Sequence, residues 1–217
     1  MSGLVDANEL TLRRVHLLDN QAKRGGALRA ANEVVVTLDE SLLQGNSTID
    51  AGPGNFIGPA IYCQGCALNI RSSTITASGA DGGGAVHVDE NGQLNMVNST
   101  LSANQGGGIR LTNAHAHVKF ATLVDNGGAD LSFSSFDDSH IFEVGGSILQ
   151  STTGFNCGSG DAPASLGYNV LSDESCGFAT AGDLENTDAL LGTLAANSGL
   201  TPTHRPAAGS PAIDRVP

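Results

Sequence analysis

Five side chains capable of binding or catalysis occupy equivalent positions in a submotif that recurs along the chain. Each copy opens with Gly-Gly or Gly-Pro and continues as an apolar run interrupted by one variable residue. Because side chains alternate along a strand, the variable residue faces away from its apolar neighbours. These outward residues are Arg29, Tyr62, His87, Arg110 and Asp130. In the same alignment, Ala129 is the inward residue of the last copy.

This predicted column has the chemistry of a ligand site. Arginine binds carboxylates in a bidentate manner, tyrosine stacks on sugar rings, and histidine exchanges protons near neutral pH. The column therefore predicts contacts with an extracellular polysaccharide or a surface protein. The same residues could instead serve a polysaccharide lyase or glycoside hydrolase, or form a solvated face of a structural stalk.

Other polar groups give weaker signals. His115 and His117 project from the same side of a strand and, with His140, could bind a metal. Acidic pairs such as Asp89 and Glu90 could hold calcium or act as a glycosidase pair. Nothing in the spacing selects these groups over solvated side chains, so no metal and no cofactor is predicted.

The four cysteines form two pairs in the sequence. Cys157 and Cys176 flank a Gly, Ser and Asp-rich stretch, and we predict a disulfide between them. Such a bond fits an oxidising compartment. Cys63 and Cys66 form a C-x-x-C without further zinc ligands or a thioredoxin-like context. They are either a buried cysteine beside a turn cysteine or a short-range disulfide.

An internal repeat positions all these groups. The segment 10–20 recurs at 36–46, 68–78, 94–104 and 116–126, with a degenerate copy at 141–151. Each period holds about three short strands with two-residue alternation, which cannot bury their apolar side unless successive coils stack. The pattern predicts an all-β parallel β-helix over residues 1–150 and an irregular C-terminal cap of the same domain over 151–217.

Stacking also aligns residues outside the first column. A structural amide ladder is predicted at one corner, broken by Ser78 in the third copy. Its members are Asn20, Asn46, Asn104 and Asn126. Two further columns are assigned to the structure. One consists of Arg13, Asp39 and Arg71, and the other of Thr74, Thr100, Thr122 and Ser147.

The net charge and the hydropathy of the chain limit the classes of molecule that it is expected to bind. The formal net charge is −12, which repels nucleic acid phosphates and anionic lipid, and also polyanionic polysaccharides unless a local basic patch or a bridging cation intervenes. No run approaches the roughly 20 apolar residues of a membrane helix.

No signal peptide is visible, so we expect the targeting segment and the first coils to lie outside this chain. We expect a monomer or end-to-end association of coils.

Two stretches resemble known families. Leu18-Asp-Asn20-Gln-Ala22 followed by Gly25-Gly-Ala-Leu28 resembles the repeat of polymorphic outer membrane proteins, with Leu18 in place of an aromatic residue. Ser165-Leu-Gly-Tyr-Asn-Val-Leu-Ser-Asp173, Thr201-Pro-Thr-His204 and Gly209-Ser-Pro-Ala-Ile-Asp214 resemble the tail of choice-of-anchor Q bacterial surface proteins. The resemblance implies a right-handed, pectate-lyase-like solenoid that is exported and displayed at a bacterial surface, and it implies no catalytic residues. The leading hypothesis is a non-enzymatic, adhesin-type binding module.

Overall fold

A computed structural model describes residues 8–49, 58–79, 83–137 and 139–216. These residues form an all-β parallel solenoid of about six turns, as the repeat predicts. Strands of successive coils pair in parallel to build three long sheets around a narrow apolar core. We number the coils 1 to 6 from the N-terminal end.

Strand bounds follow the repeat closely in the described residues. Sheet 1 contains, in spatial order, β1 (Glu9–Arg13), β5 (Val35–Asp39), β9 (Ala67–Arg71), β12 (Gln93–Val97), β15 (His115–Lys119), β18 (Phe142–Gly145) and β21 (Ala164–Gly167). Sheet 2 contains β2 (His16–Leu18), β6 (Leu42–Gln44), β10 (Thr74–Thr76), β13 (Thr100–Ser102), β16 (Thr122–Val124), β19 (Ile148–Gln150) and β22 (Val170–Leu171). The first six strands of sheet 1 define coils 1 to 6.

The third long sheet and two short ones complete the described strands. Sheet 3 contains β20 (Phe155–Cys157), β17 (Ala129–Ser134), β14 (Ile109–Thr112), β11 (Val86–Asp89), β8 (Ile61–Gln64) and β4 (Leu28–Ala31). Two-stranded sheets pair β3 (Gln21–Ala22) with β7 (Ser47–Thr48), and β23 (Leu191–Ala195) with β24 (Thr203–Pro206). The second of these pairs is antiparallel.

The register of sheet 1 reproduces the sequence repeat. Glu9 pairs with Val35, Val35 with Ala67, Ala67 with Gln93, and Gln93 with His115. The differences between these numbers are 26, 32, 26 and 22, which are the offsets of the repeat copies. Parallel pairing continues past residue 150, since Ile148 pairs with Val170.

The core consists of the inward residue of each alternating pair. In β9 and β12 these residues are Leu68, Ile70, Leu94 and Met96, each 1 % exposed or less. One-residue slippage would turn all of these side chains to solvent, so burial fixes the register. The two-residue alternation therefore decides which side chains of each sheet face solvent.

In five of the six coils, the bend between sheets 1 and 2 is made without glycine. Coils 1 to 6 each place the residue that follows the sheet-1 strand at a positive φ, where side chains other than glycine are disfavoured by about 1–2 kcal/mol. These residues are Arg14, Glu40, Ser72, Asn98, Phe120 and Gly146. A serine ladder supports the bend, because Ser41 N donates to Ser73 Oγ (3.0 Å) and Ser73 N donates to Ser99 Oγ (3.2 Å).

The asparagine residues stack at the next corner. Asn20 Nδ2 donates to Asn46 Oδ1 at 3.0 Å, and Asn104 Nδ2 donates to Asn126 Oδ1 at 2.8 Å. Ser78 interrupts the amide ladder, and only its backbone N donates to Asn104 Oδ1 (3.0 Å). The corner is thus held by side-chain amides whose hydrogen bonds are made within the protein.

The C-terminal residues run back along the solenoid. Thr74 Oγ1 donates to the carbonyl of Pro202 at 2.6 Å, and Thr201 Oγ1 donates to the carbonyl of Ser72 at 3.2 Å. His204 Nε2 lies 2.9 Å from Ser102 Oγ. The C-terminal residues therefore contact the solenoid in coils 3 and 4, across more than 100 residues of sequence, which local patterns do not reveal.

Candidate ligand-binding surfaces

The outer face of sheet 3 brings together four of the five residues of the predicted column. Arg29 pairs with Tyr62, Tyr62 with His87, and His87 with Arg110. The next residue in this column is Ser132, because Arg110 pairs with Ser132. The predicted column is therefore present over four consecutive coils, and Ser132 takes the place that was predicted for Asp130.

The sequence alignment is wrong at Asp130 and at Ala129. It places Asp130 in the outward column and Ala129 at the inward position equivalent to Ile109. In coil 5 the strand is offset by two residues from the Gly-Gly submotif, so that Leu131 pairs with Ile109. Asp130 is fully buried, and its carboxylate accepts hydrogen bonds from Asn126 Nδ2 (2.8 Å) and Asn156 Nδ2 (3.2 Å). Burial raises the pKa of Asp130 to about 7.

The middle of the sheet-3 column is inaccessible. Tyr62 and His87 are each only 4 % exposed, and their rings lie 5.5 Å apart. Tyr62 OH donates to Asp89 Oδ2 at 2.7 Å, and the Arg24 guanidinium lies 5.7 Å from the tyrosine ring centroid. Burial and the bond to Asp89 raise the pKa of Tyr62 to about 12. This tyrosine is held as a hydrogen-bond donor and cannot stack on a sugar in this arrangement.

The ends of that column are also engaged. Arg29 is exposed, and its Nη2 donates to Gln64 Oε1 at 3.3 Å. Arg110 is partly exposed, and burial lowers the pKa of its guanidinium. Sheet 3 therefore offers two separated arginines instead of a continuous polar groove.

The outer face of sheet 1 is more open. A hollow of about 270 Å³ lies across coils 3 to 5, between β9 and β15. Its lining includes Asn69, Gln93, Asn95, His115 and His117. Within the described residues, the side-chain amides of Asn69, Gln93 and Asn95 make no hydrogen bond, in contrast to the corner asparagines. Three amides are therefore available to a ligand.

Histidines border this hollow on the side of coil 6. His117 Nδ1 lies 2.9 Å from Glu143 Oε2, and His115 Nδ1 accepts a hydrogen bond from the backbone N of Ile141 (3.2 Å). Burial, together with the nearby His140 and His117, lowers the pKa of His115. His115 is thus a neutral acceptor at Nδ1, while the carboxylate of Glu143 orients the ring of His117.

The third histidine belongs to a different network. His140 Nε2 lies 2.8 Å from Asn91 Oδ1 and its Nδ1 lies 2.8 Å from Ser135 Oγ. The rings of His115 and His140 are 5.1 Å apart. Over the part of the chain that the structure describes, no three His, Cys, Asp or Glu side chains form a group that could hold a metal ion.

Two further hollows adjoin the first one. One of about 240 Å³ shares Ala67 and Gln93 with it and extends to Asn91. The other, of about 300 Å³, lies beyond the His115–His140 ring pair and is lined in part by Phe136, which is 88 % exposed. The edge between sheets 3 and 1 is therefore indented over several coils, with an exposed aromatic ring at one end.

The column of Arg13, Asp39 and Arg71 is only partly paired. Arg13 Nε lies 3.2 Å from Asp39 Oδ2, an ordinary cross-strand ion pair, whereas Arg71 forms no ion pair with any residue that the structure describes. The threonine column is partly covered by the C-terminal residues at Thr74. Ser147 is not a member of that column, because Thr122 pairs with Ile148. Ser147 belongs to the serine ladder, and its Oγ accepts from Ala121 N at 3.1 Å.

Both cysteine pairs are disulfides. Cys157 is bonded to Cys176, as predicted, and Cys63 is bonded to Cys66, which decides between the two alternatives for the C-x-x-C. Two disulfides indicate an oxidising, extracellular environment. Among the residues described, no helix has the length and apolar character needed to cross a membrane.

Comparison of the chain with protein-family models, with curated protein sequences and with solved structures gives no match. The surface must therefore be interpreted from its own residues. The sequence prediction missed Asn69 and Asn95, although a signal was present, and it considered His117 only as a metal ligand. Asn69 and Asn95 are the middle residues of alternating pairs, in Leu68-x-Ile70 and Leu94-x-Met96. The alignment favoured charged and aromatic residues over these amides.

Proposed function

We propose that this protein is a non-enzymatic, extracellular carbohydrate-binding module whose binding surface is the outer face of sheet 1 in coils 3 to 5. The observation that carries the proposal is the set of amides at Asn69, Gln93 and Asn95, which face a hollow and make no hydrogen bond within the described residues. An amide offers donors and an acceptor, which matches the paired donor and acceptor character of sugar hydroxyls.

The geometry of the sheet favours an extended ligand. Asn69 and Asn95 are paired residues of β9 and β12, so they repeat at the strand spacing of about 4.8 Å. His117 continues the same row in β15. A linear glycan lying along the solenoid axis would meet a similar polar group at each coil, whereas a compact ligand would use only one or two of them.

We also propose display at a bacterial surface, by a right-handed solenoid of the type found in polymorphic outer membrane and choice-of-anchor Q proteins. The support is the set of sequence motifs at 18–28 and 165–214 together with the two disulfides. Labelling of intact cells of the source organism with an antibody to this chain tests the location. Signal only after permeabilisation would contradict it.

A polysaccharide lyase or glycoside hydrolase is the second candidate, and one contact favours it. Glu143 orients His117 through Nδ1, which leaves Nε2 of His117 to accept a proton at the edge of the hollow. The sheet-3 column does not support this candidate, because Tyr62 and His87 are buried. Turnover measured with a reducing-end or an unsaturated-uronate assay would favour the enzyme, and binding without turnover would favour the module. If the protein shows neither binding nor turnover, the hypothesis of a structural stalk is favoured.

The binding test uses the whole chain on a glycan array, followed by titration with the best oligosaccharide. The double variant Asn69→Ala, Asn95→Ala removes two amides from the hollow. Gln44→Ala is a matched control, because Gln44 is an exposed amide on sheet 2. We expect the double variant to weaken binding by roughly tenfold or more, with the control unchanged. Equal affinity of the double variant and the wild type would contradict the proposed surface.

A further inference from the structure

We propose that the ligand is an anionic linear polysaccharide, whose carboxylate or sulfate groups bind Arg71 and Lys119 beside the hollow of sheet 1. This inference rests on the proposed function and specifies the ligand class of the same site. It follows from the distribution of charge over one face of a chain that is strongly acidic as a whole.

The two basic residues belong to one outward row. Arg71 pairs with Val97, and Val97 pairs with Lys119, in neighbouring strands of sheet 1. Both basic side chains are exposed. Two strand spacings separate them, about 10 Å along the solenoid axis. Anionic groups that recur along an extended glycan could contact both cations while the intervening sugar passes over Val97.

The face around them is free of carboxylates over three coils. Its nine outward positions hold no Asp or Glu, as the sequence and register show. These positions are Ala67, Asn69, Arg71, Gln93, Asn95, Val97, His115, His117 and Lys119. This is the local basic patch that an acidic chain needs in order to bind a polyanion.

Carboxylates in the flanking coils of this sheet already have partners. Asp39, which pairs with Arg71 in the register, accepts the Arg13 guanidinium at 3.2 Å, and Glu143 lies 2.9 Å from His117. Neither Arg71 nor Lys119 forms an ion pair with any residue that the structure describes. The side chains of Arg71 and Lys119 are therefore exposed and are not engaged in an ion pair within the described residues.

The amides complete the site for one class of ligand. Asn69 lies two residues before Arg71 on β9, so the two side chains project from the same face about 7 Å apart. A single sugar can then present its anionic group to the arginine and a hydroxyl to the amide. Arginine suits this task, because its planar guanidinium binds a carboxylate or a sulfate through two parallel hydrogen bonds.

The test is a calorimetric titration of the full chain with three probes at low and high salt. The probes are an oligogalacturonate, a sulfated heparin-type oligosaccharide and a neutral cello-oligosaccharide. The charge-removing variant is Arg71→Gln, Lys119→Gln. Its matched control is Lys23→Gln, Arg205→Gln, which removes the same charge from exposed positions outside sheet 1.

We expect at least one anionic probe to bind more tightly than the neutral one, with an affinity that falls as salt rises. The Arg71→Gln, Lys119→Gln variant should lose roughly tenfold or more of that affinity, and the control should change less than twofold. Preference for the carboxylate or the sulfate probe identifies the source of the anion, and either preference supports the inference.

Two results separate the failure of this inference from the failure of the proposed function. If the neutral probe binds as tightly as the anionic probes and Arg71→Gln, Lys119→Gln has no effect, the anionic class is wrong. The binding surface would stand in that case if Asn69→Ala, Asn95→Ala still weakens binding. If none of the three probes binds, the anionic inference is overturned, and if the glycan array is also blank, the proposed function fails with it.

Discussion

The buried carboxylate of Asp130 gives the sharpest prediction for stability. It lies between Asn126 and Asn156 at the end of the amide ladder, with the carboxylates of Asp125 and Asp173 nearby. Burial raises its pKa from 3.8 to about 7, and the two amide hydrogen bonds oppose that rise. The folded protein therefore holds a proton on Asp130 at a pH where the unfolded chain has released it.

The sign of the effect follows from this difference. A carboxyl group whose pKa is raised by folding contributes fully to stability below its unfolded pKa of 3.8. That contribution is lost as the pH rises towards and through about 7. The difference between the two pKa values corresponds to a free energy on the order of 4 kcal/mol. Stability attributable to Asp130 should thus fall by an amount of this order between pH 4 and pH 8.

The perturbation is Asp130→Asn, which keeps the shape of the side chain and removes its titration. The new amide must turn one N–H towards a neighbouring donor, which lowers the stability of the variant. This loss of stability is the same at every pH. The assay is urea denaturation of both proteins at pH 4.5, 6, 7 and 8, with the m-value as a check on cooperativity. Any other group that titrates in the same window affects both proteins equally.

We expect the stability of the wild type relative to Asp130→Asn to decrease steadily across this range. A difference that is constant with pH would refute the reasoning, because it would mean that Asp130 is ionised to the same extent in the folded and unfolded states. A difference that increases with pH would mean that the two amide bonds outweigh burial and that the folded carboxylate is the charged form.

Three further predictions concern the solenoid itself. Replacing Cys157 and Cys176 by Ser should lower the free energy of unfolding by about 3 kcal/mol, measured by denaturation without reductant; no change would mean that the bond does not restrict the unfolded chain. Leu94→Ala should cost about 3 kcal/mol, since Leu94 is only 1 % exposed in the middle coil, and a loss below 1 kcal/mol would contradict tight packing there. Asn104→Ala should cost about 2 kcal/mol, because it leaves buried ladder groups without partners, whereas Asn20→Ala at the exposed end should cost less; equal losses by thermal denaturation would contradict the ladder.

The sequence predicts the coils well because one physical requirement, burial of alternating residues, recurs with each period. The inward residues Leu68 and Leu94 were identifiable from the pattern alone, and so were the stacked Asn104 and Asn126. Even the longer period of 32 residues between Val35 and Ala67 is visible, because residues added between strands leave the strand pattern intact.

Prediction failed where local patterns compete with packing. At Asp130 the Gly-Gly submotif suggests one alignment, but the strand is two residues out of phase with that submotif, and Leu131 takes the position opposite Ile109 that the alignment gives to Ala129. Tyr62 and His87 do face away from the core, yet they are buried on the outer face of sheet 3. Alternation gives the direction of a side chain and does not show what packs above it.

The candidate site was hidden for a related reason. Neutral amides such as Asn69 and Asn95 look alike in the sequence whether they are used internally, as at Asn104, or left facing solvent. Only their hydrogen bonds distinguish the two cases. The return of the C-terminal residues to Thr74 is likewise a contact between distant parts of the chain, which periodicity does not encode.

The most direct test of the binding surface is a nuclear magnetic resonance titration of the ¹⁵N-labelled protein with an oligosaccharide selected on the glycan array. The side-chain amide signals of Asn69, Gln93 and Asn95 should shift on binding, while those of Asn104 and Asn126 in the buried ladder should stay in place. Shifts confined to residues of sheet 3, such as Arg29 and Ser132, would contradict the account and return the site to the other face of the solenoid.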